Sequence, residues 1–244
     1  MLYATDPCIR ADAAKRVARW VKGGGTLHGA CDAGGRNEFG EPSSALDEVF
    51  GIESAGEPVI QNGNWRVRGA LNDVAYMDSV RSATPGLALS GGLVNLGAIG
   101  IKVPVKTRKS AHVVGRFADG QPAVVSNRYG KGTAWYVASC PAIAYGKEAR
   151  FVPKALEEKW PAPHRAFIAA AAAGVVRAVT LSAPVVETGV YDSESGAALI
   201  LGNFTYVHIP RLEIAIDLPR APRTVTSAGR GRDVEFAVAK QAGA

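Results

Sequence analysis

Long apolar runs are missing from this 244-residue chain. The longest candidate, Ala166 to Val176, is about 11 residues between Arg165 and Arg177, against the ~18 that a membrane span needs. That excludes a membrane partner and reads as a helix of a folded domain. The opening residues, MLYATDPCIR, lack the basic start, apolar middle and small-residue cleavage site of an export signal, so a cytoplasmic location is expected. Cysteine is scarce as well. Cys8, Cys31 and Cys140 are odd in number and without CxxC spacing, which supports neither a disulfide framework nor a zinc site and fits a reducing compartment. Neither metal nor cofactor is expected. The net charge of +6 comes from scattered arginines, and the densest group, Arg220, Arg223, Arg230 and Arg232, is broken by Pro and Gly and followed by Asp233 and Glu235. Without a basic stripe, nucleic acid is not an expected partner.

What is present is enough apolar sequence to fill a core: 47% hydrophobic residues and 20% charged, sufficient for one large domain or two small ones. Leu2–Thr5 reads as a strand. In Ala11–Lys22, Ala13, Ala14, Val17, Trp20 and Val21 recur at helical spacing, with Lys15, Arg16, Arg19 and Lys22 on the other face. Gly23–Gly25 stop that helix, and Thr26–Cys31 reads as a second strand, completing a βαβ unit. Ser44–Phe50 is predicted as a helix opened by Ser44 and Asp47 in a capping-box arrangement and closed by Gly51. The passage 58–110 gives only short β-like pieces. Three antiparallel strands then follow, 111–118, 122–129 and 133–140, joined by the turns Asp119-Gly120 and 130–132. The latter, GKG, lacks the spacing of a phosphate loop and reads as a hairpin turn. His164–Val176 is a predicted helix. Beyond Pro184 the pattern is β only, including VVETGVYD, ALILGNFT, LEIAIDL, TVTSA and DVEFAVA. Two domains follow, an α/β domain over 1–180 and an all-β domain over 181–244.

The order of LYATDP, the helix end WVKGGG, the strand TLHGA, the loop GGRNEFGEPSSAL with LDEVFGI, and GQPAVVSNRYGKGTAWYVASCPAIAYG resembles the beta-galactosidase trimerisation domain. That module accompanies family-42 glycoside hydrolases. The resemblance covers about residues 1–150 and implies a flavodoxin-like, class I glutamine amidotransferase-like fold, followed by a small β-sandwich. It also implies a non-catalytic assembly role. The expected partners are further copies of the chain, a trimer being favoured, or a glycoside hydrolase barrel domain, with carbohydrate as a ligand. A (β/α)8 barrel needs ~250 residues, and the βα unit expected before LYATDP is not in the sequence. On this reading the chain is a fragment of a longer protein, with its first βα unit missing and its β domain cut short.

Cys31, at a strand end among glycines, aligns roughly with the amidotransferase nucleophile, which gives an alternative function as a thiol hydrolase. Against it stand the residues Asp32–Ser43 between strand and helix, where a nucleophile elbow turns at once, and Pro141 and Ala142 where that family's histidine is expected. His28 is on the opposite face of the strand, and His112, His164 and His208 sit in no motif. Cys31 is therefore read as a packed strand-end residue. Asp32, Glu38 and Glu41 lie in the loop after the strand, where open α/β sheets bind ligands. They offer a carboxylate pair for sugar chemistry, or simply a solvated loop that caps the next helix. Asn37, Glu38 and Phe39 are the expected contact loop, because Phe39 is a large apolar residue among glycines and charges. Tyr145 is a second interface or sugar-facing aromatic. Trp135 and Tyr136 alternate on their strand and read as packing on its two faces. Such aromatics give the third reading, a carbohydrate-binding module.

Overall fold

The computed structural model describes residues 2–66, 70–82, 94–147, 159, 161–170, 178–183, 185–205 and 207–239. Its contacts divide the chain into two units, Met1–Val175 and Val176–Ala244.

In the first unit the chain runs β1 (Leu2–Ala4), α1 (Ala11–Lys22), β2 (Thr26–Ala30), α2 (Asp47–Phe50), β3 (Ile52–Ala55), β4 (Val59–Ile60), a 3-10 turn at Leu71–Asp73, β5 (Asp78–Ser82) and β6 (Val94–Ala98). It continues through β7 (Ile101–Lys102), β8 (Val105–Thr107), β9 (His112–Phe117), β10 (Pro122–Tyr129), β11 (Gly132–Val137), α3 (Pro141–Lys147) and α4 (Ala162–Ala170). Seven strands form one sheet in the order β1-β2-β11-β10-β9-β5-β6. β1, β2 and β11 are parallel, with Leu2 opposite Leu27 and Val137 opposite Ala30. The other neighbours pair antiparallel. The sheet is therefore mixed: a helical crossover feeds its parallel end and tight hairpins its antiparallel end.

Helix α1 buries Ala14 and Val21 of the apolar face its spacing predicts and half-buries Ala13 and Val17, while Trp20 of that face is exposed and the basic residues turn outward. It stops at Gly23, whose amide donates to the Arg19 carbonyl, and the chain leaves through Gly24 at φ 124°. Helix α2 is a single turn from Asp47, shorter than the predicted Ser44–Phe50. Ser44 supplies a backbone carbonyl to Asp47 N–H and no side-chain cap, so the capping box does not form. The turn still does the work of a longer helix, because Phe50 lands on the sheet. A Cβ on Gly29 would collide with the Phe50 ring, and that ring packs at 5.1 Å on Tyr136. The main core gathers Leu27, Val49, Phe50, Ile52, Val124, Val125 and Val137, all nearly solvent-free. A smaller cluster joins Trp65, Leu71, Ile99 and Ala144. β4, β7 and β8 occupy the passage of weak sequence signals, β4 pairing with β7 and β8 with β3, which comes just before it.

The predicted exit through Pro141 is instead the first residue of α3, where a missing N–H costs nothing. Only 164–170 of the predicted 164–176 helix lies within the described residues, and it is helical as part of α4.

In the second unit every regular element among the described residues is a strand: β12 (Val179–Leu181), β13 (Val186–Ser193), β14 (Gly196–Asn203), β15 (Ile214–Ile216), β16 (Thr226–Ser227) and β17 (Arg232–Asp233). They pair in twos, β12–β15, β13–β14 and β16–β17. The predicted strand DVEFAVA shrinks to its first residue, since Val234–Ala239 has no ladder partner and Val234 N–H alone bonds back, to the Val225 carbonyl at 2.8 Å.

Candidate functional site

The carboxyl ends of β1, β2 and β11 lie side by side, and Cys31 with the Asn37, Glu38 and Phe39 loop collects there, whereas Tyr145 is on α3, which packs toward β6 at the far edge of the sheet. Cys31 follows β2 with its backbone in the left-handed region, φ 61°, and its amide donates to the Ser139 carbonyl at 2.9 Å. That bond brings Cys140 beside it, with a Cα–Cα distance of 4.8 Å, and the two sulfurs form a disulfide across 109 positions of sequence. This corrects the expectation of three unpaired thiols, and with it the argument for a reducing compartment from the cysteine count. The parallel pairing of β2 with β11 ends both strands at the same height, which cysteine spacing does not reveal. Cys8 is the free cysteine, and it is exposed. In this state Cys31 has no thiolate to offer. The Tyr136 hydroxyl beneath it is also engaged, donating to the Cys31 carbonyl at 3.1 Å. Burial, with the Asp32 and Asp47 charges behind it, pushes that phenol far above its ordinary range.

The loop after β2 is stitched to the loop after β1. Gly34 N–H bonds the Asp6 carbonyl, Arg36 N–H the Pro7 carbonyl, and Ile9 N–H the Arg36 carbonyl. Asp32 is 9% exposed and folds over Gly35, where no Cβ would fit. Burial raises its carboxyl above the usual range, Arg36 opposes that and Glu57 adds to it. Asn37 spends its side chain inside the loop. Its Oδ1 accepts from Phe39 N–H at 2.9 Å and Glu41 N–H at 3.0 Å, and its Nδ2 donates to Glu41 Oε2 at 2.8 Å. Glu38 accepts from Ala11 N–H at 3.3 Å, so it caps the preceding helix α1 rather than the following one. Asp32, Glu38 and Glu41 thus answer to different partners.

The side chain left over is Phe39, 81% exposed at the tip of a loop whose backbone is fixed by Asn37. Tyr145 is half-buried on α3, and its hydroxyl meets Arg165 of α4: burial pushes its pKa up, and the Arg165 charge and hydrogen bond pull it down. It ties two helices together. Trp135 is half-buried and Tyr136 buried. His28 is 3% exposed with its ring 4.8 Å from that of Tyr3, and burial lowers its pKa to about 4. His164 is buried on α4, His112 is exposed at the start of β9, and His208 belongs to the second unit. Among the described residues no group of three metal-ligating side chains converges, and no helix is long and apolar enough to cross a membrane. The site is a hydrogen-bonded rim from which Phe39 projects.

Residues 6–159 match the family described as the beta-galactosidase trimerisation domain. No curated protein matches the chain. Among solved structures, a GH42 beta-galactosidase from G. stearothermophilus, in a catalytic mutant, superposes with a TM-score of 0.60 at 18% identity, over 96% of this chain and 29% of that one. The cold-adapted beta-galactosidase from Rahnella gives 0.58 at 21% identity, over 88% and 30%. That from Bacillus circulans gives 0.57 at 19%, over 82% and 26%. The chain spans less than a third of each of these enzymes.

Proposed function

Because the chain belongs to the beta-galactosidase trimerisation domain family, we propose that it is a non-catalytic assembly module. Its partners are further copies of itself, in a trimer, or the barrel domain of a glycoside hydrolase. The observation that carries the reading is the match over residues 6–159. The geometry at the strand ends supports it. The sulfurs of Cys31 and Cys140, the Tyr136 hydroxyl and the Asn37 amide are all consumed in holding the rim, whereas Phe39 stands 81% exposed on a fixed loop. A rigid exposed aromatic is a docking anchor at low entropic cost.

The finer fold belongs to the same proposal. Parallel β1-β2-β11 with α1 as crossover is the flavodoxin-like, amidotransferase-like portion, and the strand pairs of the second unit are the β-sandwich portion. Carbohydrate enters as the substrate of the partner enzyme, and isolated chain is expected to leave chromogenic galactosides intact. Size exclusion with light scattering tests the assembly. A trimer is expected on the order of tens of micromolar, with Phe39→Ser shifted toward monomer and with its melting under dilute, monomeric conditions unchanged. A wild-type monomer at that concentration removes the reading.

A further inference from the structure

We infer that the outer face of the sheet at β5, β6 and β9 is a binding site for a small phosphate monoester, held by Arg81 and Arg116. Strand register places the site. Arg81 on β5 stands directly opposite Arg116 on β9 and directly opposite Asn95 on β6. Directly opposed residues share one face with Cβ atoms ~5 Å apart. The row therefore reads Asn95, Arg81, Arg116 across three strands, and it continues to Pro122 on β10. All three donor side chains are exposed, and the row contains no carboxylate.

Like charges in direct cross-strand opposition are unfavourable, and nearby acids normally relieve them. Here the adjacent acids are already taken. Asp78 and Asp119 both hold Lys102 Nζ, each at 2.7 Å. Among the described residues Arg81 makes no ion pair or side-chain hydrogen bond, and Arg116 makes a single bond, from Nη1 to the Gly120 carbonyl at 2.8 Å. That bond ties Arg116 Nη1 to the β9–β10 turn and leaves the remaining N–H groups of this exposed side chain without a partner among the described residues. Arg81 and Arg116 line an open cleft of about 350 Å3 together with the apolar side chains of Val114 and Ala118. Two guanidinium side chains rooted at directly opposed positions can together match an oxyanion with several acceptor oxygens and two negative charges. Asn95 adds an amide that suits a hydroxyl or further oxygen on the ligand's organic part. The cleft's apolar side chains take the carbon skeleton, which is why a monoester is favoured over the free ion. The site lies on different strands from the rim that carries Phe39 and stands independently of the assembly proposal.

The test is thermal melting and calorimetric titration of the full chain with glycerol 2-phosphate, inorganic phosphate, and chloride at matched ionic strength. The expected result is saturable stabilisation by both phosphates, tighter for the monoester, and none from chloride. Equal affinity of the two phosphates would reassign the site to the free ion. Arg81→Gln should weaken binding about tenfold or more, and Arg128→Gln on the neighbouring strand should leave it unchanged. Arg81→Glu should melt at or above the wild type, since it pairs with Arg116, and should bind nothing. Stabilisation that does not saturate, or that survives in Arg81→Glu, is a general salt effect and overturns the proposal. Absence of any effect on the wild type does so equally.

Discussion

The two units of the chain have similar strand chemistry and opposite burial. Among the described residues, every fully buried apolar side chain lies in Met1–Val175, from Ala14 to Phe167. Among the described residues of Val176–Ala244 the buried side chain is a threonine, Thr205, while Tyr191, Ile200, Leu201, Phe204, Ile214, Ile216, Val234, Phe236 and Val238 are exposed. The difference is one of layers. In the first unit a seven-stranded sheet has helices to cover it. In the second, strands pair in twos, and a lone two-stranded ribbon is marginal in water. β-rich sequence is therefore not enough for a core, because a face must also find something to lie against.

The sharpest way to break the comparison is to cut it. Residues 1–175 expressed alone should melt cooperatively, whereas 176–244 alone should show poorly dispersed amide resonances and no thermal transition. A dispersed spectrum from the second piece would mean that its strands find a core by themselves.

Within the first unit, the Cys31–Cys140 bond should be the largest single contributor. It closes a loop with a sequence separation of 109, for which the chain-entropy view gives about 4–5 kcal/mol. Reduction, or Cys140→Ser, should lower the melting temperature by roughly 10 °C without touching the second unit. Unchanged melting on reduction, or alkylation of both cysteines before it, would show the pair to be open.

A smaller effect is expected from His28, again confined to the first unit. Its ordinary value is 6.5 and burial lowers it to about 4, so the unfolded chain takes up its proton first as pH falls. Stability should thus be whole above about pH 6.5 and decline toward pH 4, by about 3 kcal/mol in all. The decline should be absent in His28→Phe. The Asp78–Lys102 pair should stay intact through that window. Burial pushes Asp78 up, but Lys102 and the Ser79 and Ala118 amides outweigh it and hold it below 3.8. A denaturant midpoint flat from pH 7 to pH 4 would contradict the burial of the imidazole.

How much of this was legible in the sequence follows from the range of the interactions. Helix α1, its glycine stop and the β9–β10–β11 hairpins are local, written in spacing and turn residues, and they stand where the pattern puts them. The motif order, too, is a property of the sequence, and it points to the same family as the match over residues 6–159. What failed was tertiary. The spacing of Ser44 to Asp47 is that of a cap, but the chain enters α2 too late to use it. The loop of Asp32, Glu38 and Glu41 reads from sequence as solvated or as a cap for the next helix, but Glu38 turns back to α1 because the β2 loop folds over the β1 loop. Cys31 and Cys140 became partners only once β2 and β11 were neighbours. Arg81 lies in a passage without clear periodicity, so nothing in its surroundings announced that it would face Arg116.

The smallest expected effect is the most specific to the second unit. Ile200 is 59% exposed on β14, opposite Gly189 of β13, so its side chain packs against little on its own ribbon. Phe50 in the first unit is 1% exposed, and Phe50→Ala should cost about 3–5 kcal/mol through the cavity it leaves. Ile200→Ser removes a comparable apolar group and should change stability by no more than about 0.5 kcal/mol if the ribbon stands in water as a monomer. In an assembly that covers this face, the same substitution should lower the melting temperature of the oligomer and weaken its association, with the monomer unaffected. Melting wild type and Ile200→Ser across a hundredfold dilution series separates the cases, because only a covered side chain makes the difference depend on concentration. A concentration-independent loss as large as that of Phe50→Ala would place Ile200 in a core within the chain and erase the contrast between the two units.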